Sequence, residues 1–278
     1  MSEDSGVGGR SGLGACRKRL HRAEDDIHRL VDVLHLSIDG IQSLERMVPL
    51  VRAIADLDRV SGDAPDEAGV ERAERIAALA GNEVRDGFPL LHAQAALSLC
   101  AVVESLVWDL CVLWLMHNAS FVREEPISSL KVELGEYEGK SDVERSEYLI
   151  GLLEDKAHAR FASGVTKFER LLAPFGLDGF VGDSCREALF ELFKVRNAVL
   201  HRGAVADLQF VRECPWLGLS VGDKVVITHE RFGHYLDAAL EYVTVLVHRI
   251  GKEFGAAGSS EALDEYSGSG KLPFADDD

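Results

Sequence analysis

Leu192-Phe193-Lys194-Val195-Arg196-Asn197-Ala198-Val199-Leu200-His201-Arg202-Gly203 decides how this chain is read. The stretch is an apolar helical run that stops at a glycine, a natural helix end. It nevertheless carries an Arg, an Asn and a His. Asn197 and His201 are four apart and share one helix face. Arg196 starts about 140° round the helix from His201, but its long stem can swing the guanidinium towards it. The segment therefore predicts a cation fork, an amide and an imidazole at one helix end.

The neighbouring signals are mostly helical. Asp183 or Ser184 caps the helix that ends at His201 or Arg202. After Gly203 the periodicity changes: 205–213 and 224–228 read as short strands, with Gly222-Asp223 as the tight turn. Thr228 then caps a last helix over 229–254. Upstream, Pro89 suits the first turn of a long helix over 89–118. Ser141-Asp142-Val143-Glu144 is a capping box that opens a helix to about 158, and a short helix covers 164–172. Residues 61–69 form a polar loop, followed by a helix over 67–81. The fold class expected is all-α, with a small β-hairpin insert after the helix of the Arg-Asn-His run.

Residues 16–47 keep a seven-residue repeat. Leu20, Ile27, Leu34, Ile41 and Val48 form one row; Ala23, Leu30, Ser37, Leu44 and Val51 form the other. This is a coiled-coil-like seam, open to an intramolecular helical pairing or to a dimer. Ser37 and Ala23 weaken its core rows and favour the intramolecular option. Pro49 kinks or ends the first helix. His21, His28 and His35 also recur every seven residues, about 10.5 Å of rise, too far for one metal to bridge. The expected organisation is a disordered start at 1–15, an N-terminal helical segment at 16–85, a second helical domain at 86–254 and a disordered acidic tail at 255–278.

The 278 residues carry a net charge of −17, unevenly distributed. Residues 56–86, 124–155 and 255–278 hold net −5, −7 and −5, which accounts for all of it. Between Glu191 and Asp207 the only charges are positive: Lys194, Arg196 and Arg202. A small anion site is compatible with this pattern, with Lys194 and Arg202 as phosphate contacts. A broad DNA-binding surface is not, because it needs many phosphate contacts. The five cysteines form no C-x-x-C pair and no metal-ligand spacing. No leader segment is recognised. The most apolar stretch, Ala95 to Met116, is interrupted by Glu104 and Asp109 and is not expected to span a bilayer. A cytoplasmic protein without metal or cofactor is expected. There is no Gly-rich phosphate loop, no H-E-x-x-H and no G-x-S-x-G.

Arg-Asn-x-x-x-His at the end of a helix, closed by Gly203 and followed by a hairpin and one more helix, resembles the HEPN superfamily. The likeness is closest to bacterial members of the RiboL-PSP type and covers roughly 85–254. It implies a helical bundle that forms a homodimer with its Arg/His helices facing each other, and in many members a metal-independent endoribonuclease. On that resemblance His201 is the general acid or base, Arg196 holds the scissile phosphate, and Asn197 orients His201 or donates to phosphate. The partner implied is RNA. A defence or toxin role is implied in the same way. HEPN toxins silenced by modification of a Tyr two residues after the His depart from this chain, which has Gly203 there.

The chemistry is coherent on its own terms. RNA supplies its own 2′-hydroxyl nucleophile, an imidazole titrates near neutral pH, and a guanidinium matches phosphate bidentately. One imidazole does not easily serve both ends of the reaction, whereas a symmetric dimer brings two. Glu104 lies on a stripe with Leu97, Ala101, Trp108 and Cys111, and a carboxylate buried there needs a partner: Arg196, His201 or another arginine of the bundle. Three other readings use the same features. In the first, Arg196, Asn197, His201 and Arg202 merely satisfy the helix end, where positive groups are favoured. In the second, the site binds nucleotides or proteins without cleaving. In the third, the chain is a helical assembly protein in which the N-terminal heptads drive assembly and the C-terminal bundle is scaffold; in the HEPN reading the N-terminal helices instead lengthen the dimer interface or recognise a partner or trigger.

Overall fold

The computed structural model describes residues 5–44, 46–61, 66–158 and 164–253. Helix accounts for 81 % of these residues and none of them forms a strand, so the fold is all-α. The helices are α1 (Ser5–Leu44), α2 (Met47–Ser61), α3 (Glu67–Arg85), α4 (Pro89–His117), α5 (Leu134–Glu138), α6 (Asp142–His158), α7 (Val165–Leu172), α8 (Asp183–Arg202), α9 (Leu208–Glu213) and α10 (His229–Glu253).

α4 is the centre of the bundle. It is apolar nearly all round, as a helix enclosed by others must be. Leu99, Cys100, Val103, Leu106, Val107, Leu110 and Cys111 are completely buried, and α1, α6, α7, α8 and α10 all pack on it. By length and composition alone α4 would qualify as a membrane span, contrary to the reading from its two acids, although half of the qualifying window is buried inside the fold. Pro89 occupies its first turn, as expected.

α1 lies antiparallel on α4. The Arg19 guanidinium bonds Asp109 and the Ser105 hydroxyl, and Gly12 sits so close to His117 that an added Cβ would lie 2.8 Å from the His117 Cβ. The buried positions are Cys16, Leu20, Ala23, Ile27, Val31 and Leu34. Their 4-3-4-4-3 spacing is an eleven-residue pattern. The second heptad row therefore drifts: Val31 is buried where Leu30 was expected, and Leu30 is only half-buried. Eleven residues in three turns lie closer to the period of an uncoiled helix than seven in two. The seam is filled within the chain, in line with the intramolecular option, and belongs to the same core as α4, α8 and α10. The expected boundary at 85/86 thus does not divide the core. α1 also reaches back to Ser5, so residues 5–15 are helical rather than disordered; 1–4 and the acidic tail lie outside the described residues.

The expected hairpin shrinks to one antiparallel bridge, Val205 with Lys224. Residues 208–213 form α9 instead. Asp207 caps it by accepting the Phe210 N–H at 2.7 Å, and Phe210 and Cys214, four apart, both turn into the core. An Asx cap with an i,i+4 apolar pair outweighs the short alternation that suggested a strand. The capping box at Ser141 forms as read, with the Glu144 carboxylate accepting both the backbone N–H and the hydroxyl of Ser141.

One polar group lies deep in this core. His92 is 1 % exposed. Its Nδ1 faces the Phe88 carbonyl at 3.0 Å, so Nδ1 carries the proton, and Nε2 is left to accept from His229 Nδ1 at 3.3 Å. Burial holds the imidazole below its ordinary 6.5, with His229 adding to the effect against the hydrogen bond to Phe88. The unfolded chain therefore takes up this proton first. The stabilisation is complete above pH 6.5 and is lost as pH falls below it. Urea unfolding at pH 7.5 and 5.5 is expected to show a loss of stability on acidification that is smaller in His92→Leu.

Candidate functional site

α8 carries the Arg-Asn-His run along its second half. Its core face, Cys185, Leu189, Leu192, Val195 and Ala198, is buried, which turns Asn197, Leu200 and His201 to solvent. The helix stops at Gly203 in the left-handed conformation (φ 61°), where its N–H bonds back to the Ala198 carbonyl. The expected stop signal and its physical reason coincide.

Arg196 is one-third exposed at its side chain and makes two contacts. Its guanidinium donates to Asn197 Oδ1 at 3.2 Å and lies 3.7 Å from Glu104 Oε2 of α4. Of the partners weighed for Glu104, Arg196 is the one it meets. Arg196, Asn197 and Glu104 thus form one half-exposed cluster, with His201 a turn further along the exposed face of α8. The stripe that carries Glu104 is itself partly open, since Ala101 and Ser105 are exposed and Leu97 and Trp108 half-buried.

The other two cations are engaged by carboxylates that follow α8, at the cap and the end of α9. Lys194 Nζ lies 2.6 Å from Glu213 Oε2 and 5.0 Å from the Phe190 ring centroid. Arg202 lies 2.8 Å from Asp207 Oδ2. The all-positive segment between Glu191 and Asp207 is therefore matched in three dimensions by Glu104, Asp207 and Glu213. Lys194 is largely covered and acts here as a packing element; Arg202 remains half-exposed. Exposed pairs of this kind contribute little each and can be exchanged for a phosphate contact.

Glu191 is the most buried carboxylate among the described residues and was not among the expected site residues. Glu191 is 5 % exposed and accepts from the Arg231 guanidinium, the Tyr235 hydroxyl and the Trp216 indole N–H. Burial, reinforced by the neighbouring Glu191 charge, raises the Tyr235 phenol above its ordinary 10, so it remains a donor. The signal available in sequence was the position of Glu191, one residue from Leu192 on an otherwise apolar helix face. Thiol chemistry is absent from the site, because all five cysteines are buried. Burial pushes Cys16 up to about 11 and Cys185 and Cys214 up to about 12. Among the described residues no group of three His, Cys, Asp or Glu side chains is arranged to hold a metal ion.

Compared with known proteins, the chain matches no family model, no curated protein and no solved structure. Glu191→Ala is expected to cost about 1–3 kcal/mol of stability in urea unfolding, because it leaves the buried Tyr235 hydroxyl without its acceptor. Glu191→Gln, which keeps acceptor capacity for Tyr235 and Trp216, is expected to cost less.

Proposed function

We propose that the chain is a metal-independent endoribonuclease of the HEPN type, with a site completed across a homodimer. The observation that carries this reading is that Arg196 reaches both Glu104 of α4 and Asn197, and that Asn197 and His201 lie one turn apart on the exposed face of α8. A solvated imidazole one turn from an Arg–Asn pair supplies the groups that 2′-hydroxyl attack on an adjacent phosphate requires. The imidazole moves the proton of the nucleophile or the leaving oxygen, and the guanidinium meets the charge that grows on the phosphate. Glu104 holds Arg196 in place until a phosphate takes over the contact. A symmetry-related His201 performs the second proton transfer.

The strongly acidic surface repels bulk nucleic acid, which favours a narrow choice of RNA over general degradation. A cytoplasmic setting fits RNA as substrate and five cysteines kept as thiols. A defence or toxin role rests on the family resemblance alone. One observation favours a second reading, assembly or trigger recognition through the N-terminal helices. Met47, Leu50, Ile54 and Leu57 form a stripe at coiled-coil spacing along α2, and each is 48–65 % exposed.

Incubation of the purified chain with total RNA in EDTA is expected to give cleavage. His201→Ala is expected to slow cutting about 10²–10⁴-fold, the usual contribution of a general acid or base, and Arg196→Ala to abolish detectable product. Folding is checked by circular dichroism and the dimer by sedimentation. Cutting that persists in both variants overturns the mechanism. A wild type that never cuts but melts higher with a nucleotide indicates a binding module instead.

A further inference from the structure

A second concave site lies between the first half of α8 and the start of α10. It is a cleft of about 600 Å³ lined by residues that include Asp183, Glu187, Glu191, Trp216, Glu230 and Arg231. That volume is in the range of small-molecule sites. Glu191 precedes His201 by ten residues, about 15 Å of helix rise, so the cleft is separate from the Arg196–His201 face.

The floor of the cleft is rigid. Glu191 takes three hydrogen bonds, and one of them pins the Trp216 indole by its N–H. Trp216 is nonetheless 45 % exposed. A tryptophan serving only the core would be covered, as Trp114 is at 5 %. Here the indole, held by its N–H, lines the cleft with nearly half of its surface open. Charge decides what that surface suits. Arg231 is spent on Glu191, which leaves Asp183, Glu187 and Glu230 on the walls. Among the described residues no salt bridge engages these three. An anion meets three carboxylates here, two of them in the first turns of α8 and α10, and an apolar ligand leaves them desolvated. A cation gains from both the carboxylates and the indole face.

We propose that this cleft binds a small organic cation carrying a guanidinium or ammonium group, with the cation over the Trp216 ring and paired with Glu187 and Glu230. The proposal is independent of ribonuclease activity. Two sources share this chemistry, a free amine and an arginine side chain of a peptide. Agmatine and acetyl-Gly-Arg-Gly-amide represent them, and the tighter of the two assigns the source.

The full-length chain is titrated with each probe, following tryptophan fluorescence and binding heat at physiological salt. Saturable binding is expected from at least one, and none from the uncharged butane-1,4-diol. The double variant Glu187→Gln/Glu230→Gln is expected to weaken binding about tenfold. Glu136→Gln/Glu138→Gln removes the same formal charge from an exposed helix elsewhere and is expected to leave affinity unchanged. Failure of both probes to saturate at millimolar concentration, or equal loss in the two double variants, overturns the proposal.

Discussion

The constraint on which this molecule depends is that α4 has almost no polar face to offer water. Seven of its side chains are completely buried. Each large apolar one contributes on the order of 1.5–3 kcal/mol when removed from water. The remaining helices are arranged to meet that need: α1 antiparallel along one side, α6 and α7 along another, α8 and α10 along the rest. Positions on α4 are therefore scarce for anything other than packing. Glu104 and Asp109 are the two acids it carries, and both meet an arginine of another helix, Arg196 and Arg19. The first of these contacts ties the central helix to the candidate site; the second ties it to the N-terminal helix.

Local charge in the sequence is a poor guide to local charge in the fold. The stretch from Lys194 to Arg202 is purely basic along the chain, yet every cation in it faces a carboxylate in space. Those carboxylates come from α4, from the cap of α9 and from the end of α9. Only Asn197 and His201 were left as the sequence suggested, on the outside of α8. The electrostatic character of the site thus comes from tertiary packing, while its solvent exposure comes from helix periodicity.

What was legible in the sequence follows the range of the signals involved. Pro89, the Ser141–Glu144 box, Thr228 before α10 and Gly203 after α8 are local devices, and the helices begin or end where they place them. The partnership of Glu104 with Arg196 could be narrowed but not decided, because it depends on which faces of α4 and α8 meet. The strand assigned at 205–213 failed because four alternating residues weigh less than one capped turn anchored by Phe210. The first heptad row of α1 is buried through Leu34, whereas the second drifts to Val31 in place of Leu30, since the partner is a core helix and not a second identical helix. Glu191 stood out only as a carboxylate in an apolar helix, and its partners were not legible. Its three donors come from Trp216, Arg231 and Tyr235, 25 to 44 residues away.

The five shielded thiols give the bundle a built-in record of its own breathing. Cys16 reports on α1, Cys100 and Cys111 on the spine, Cys185 on α8, and Cys214 on the turn after α9. None can meet an alkylating reagent in the closed state. The modification rate at each sulfur is therefore governed by how often its surroundings come apart, and five such rates resolve the order in which the helices detach.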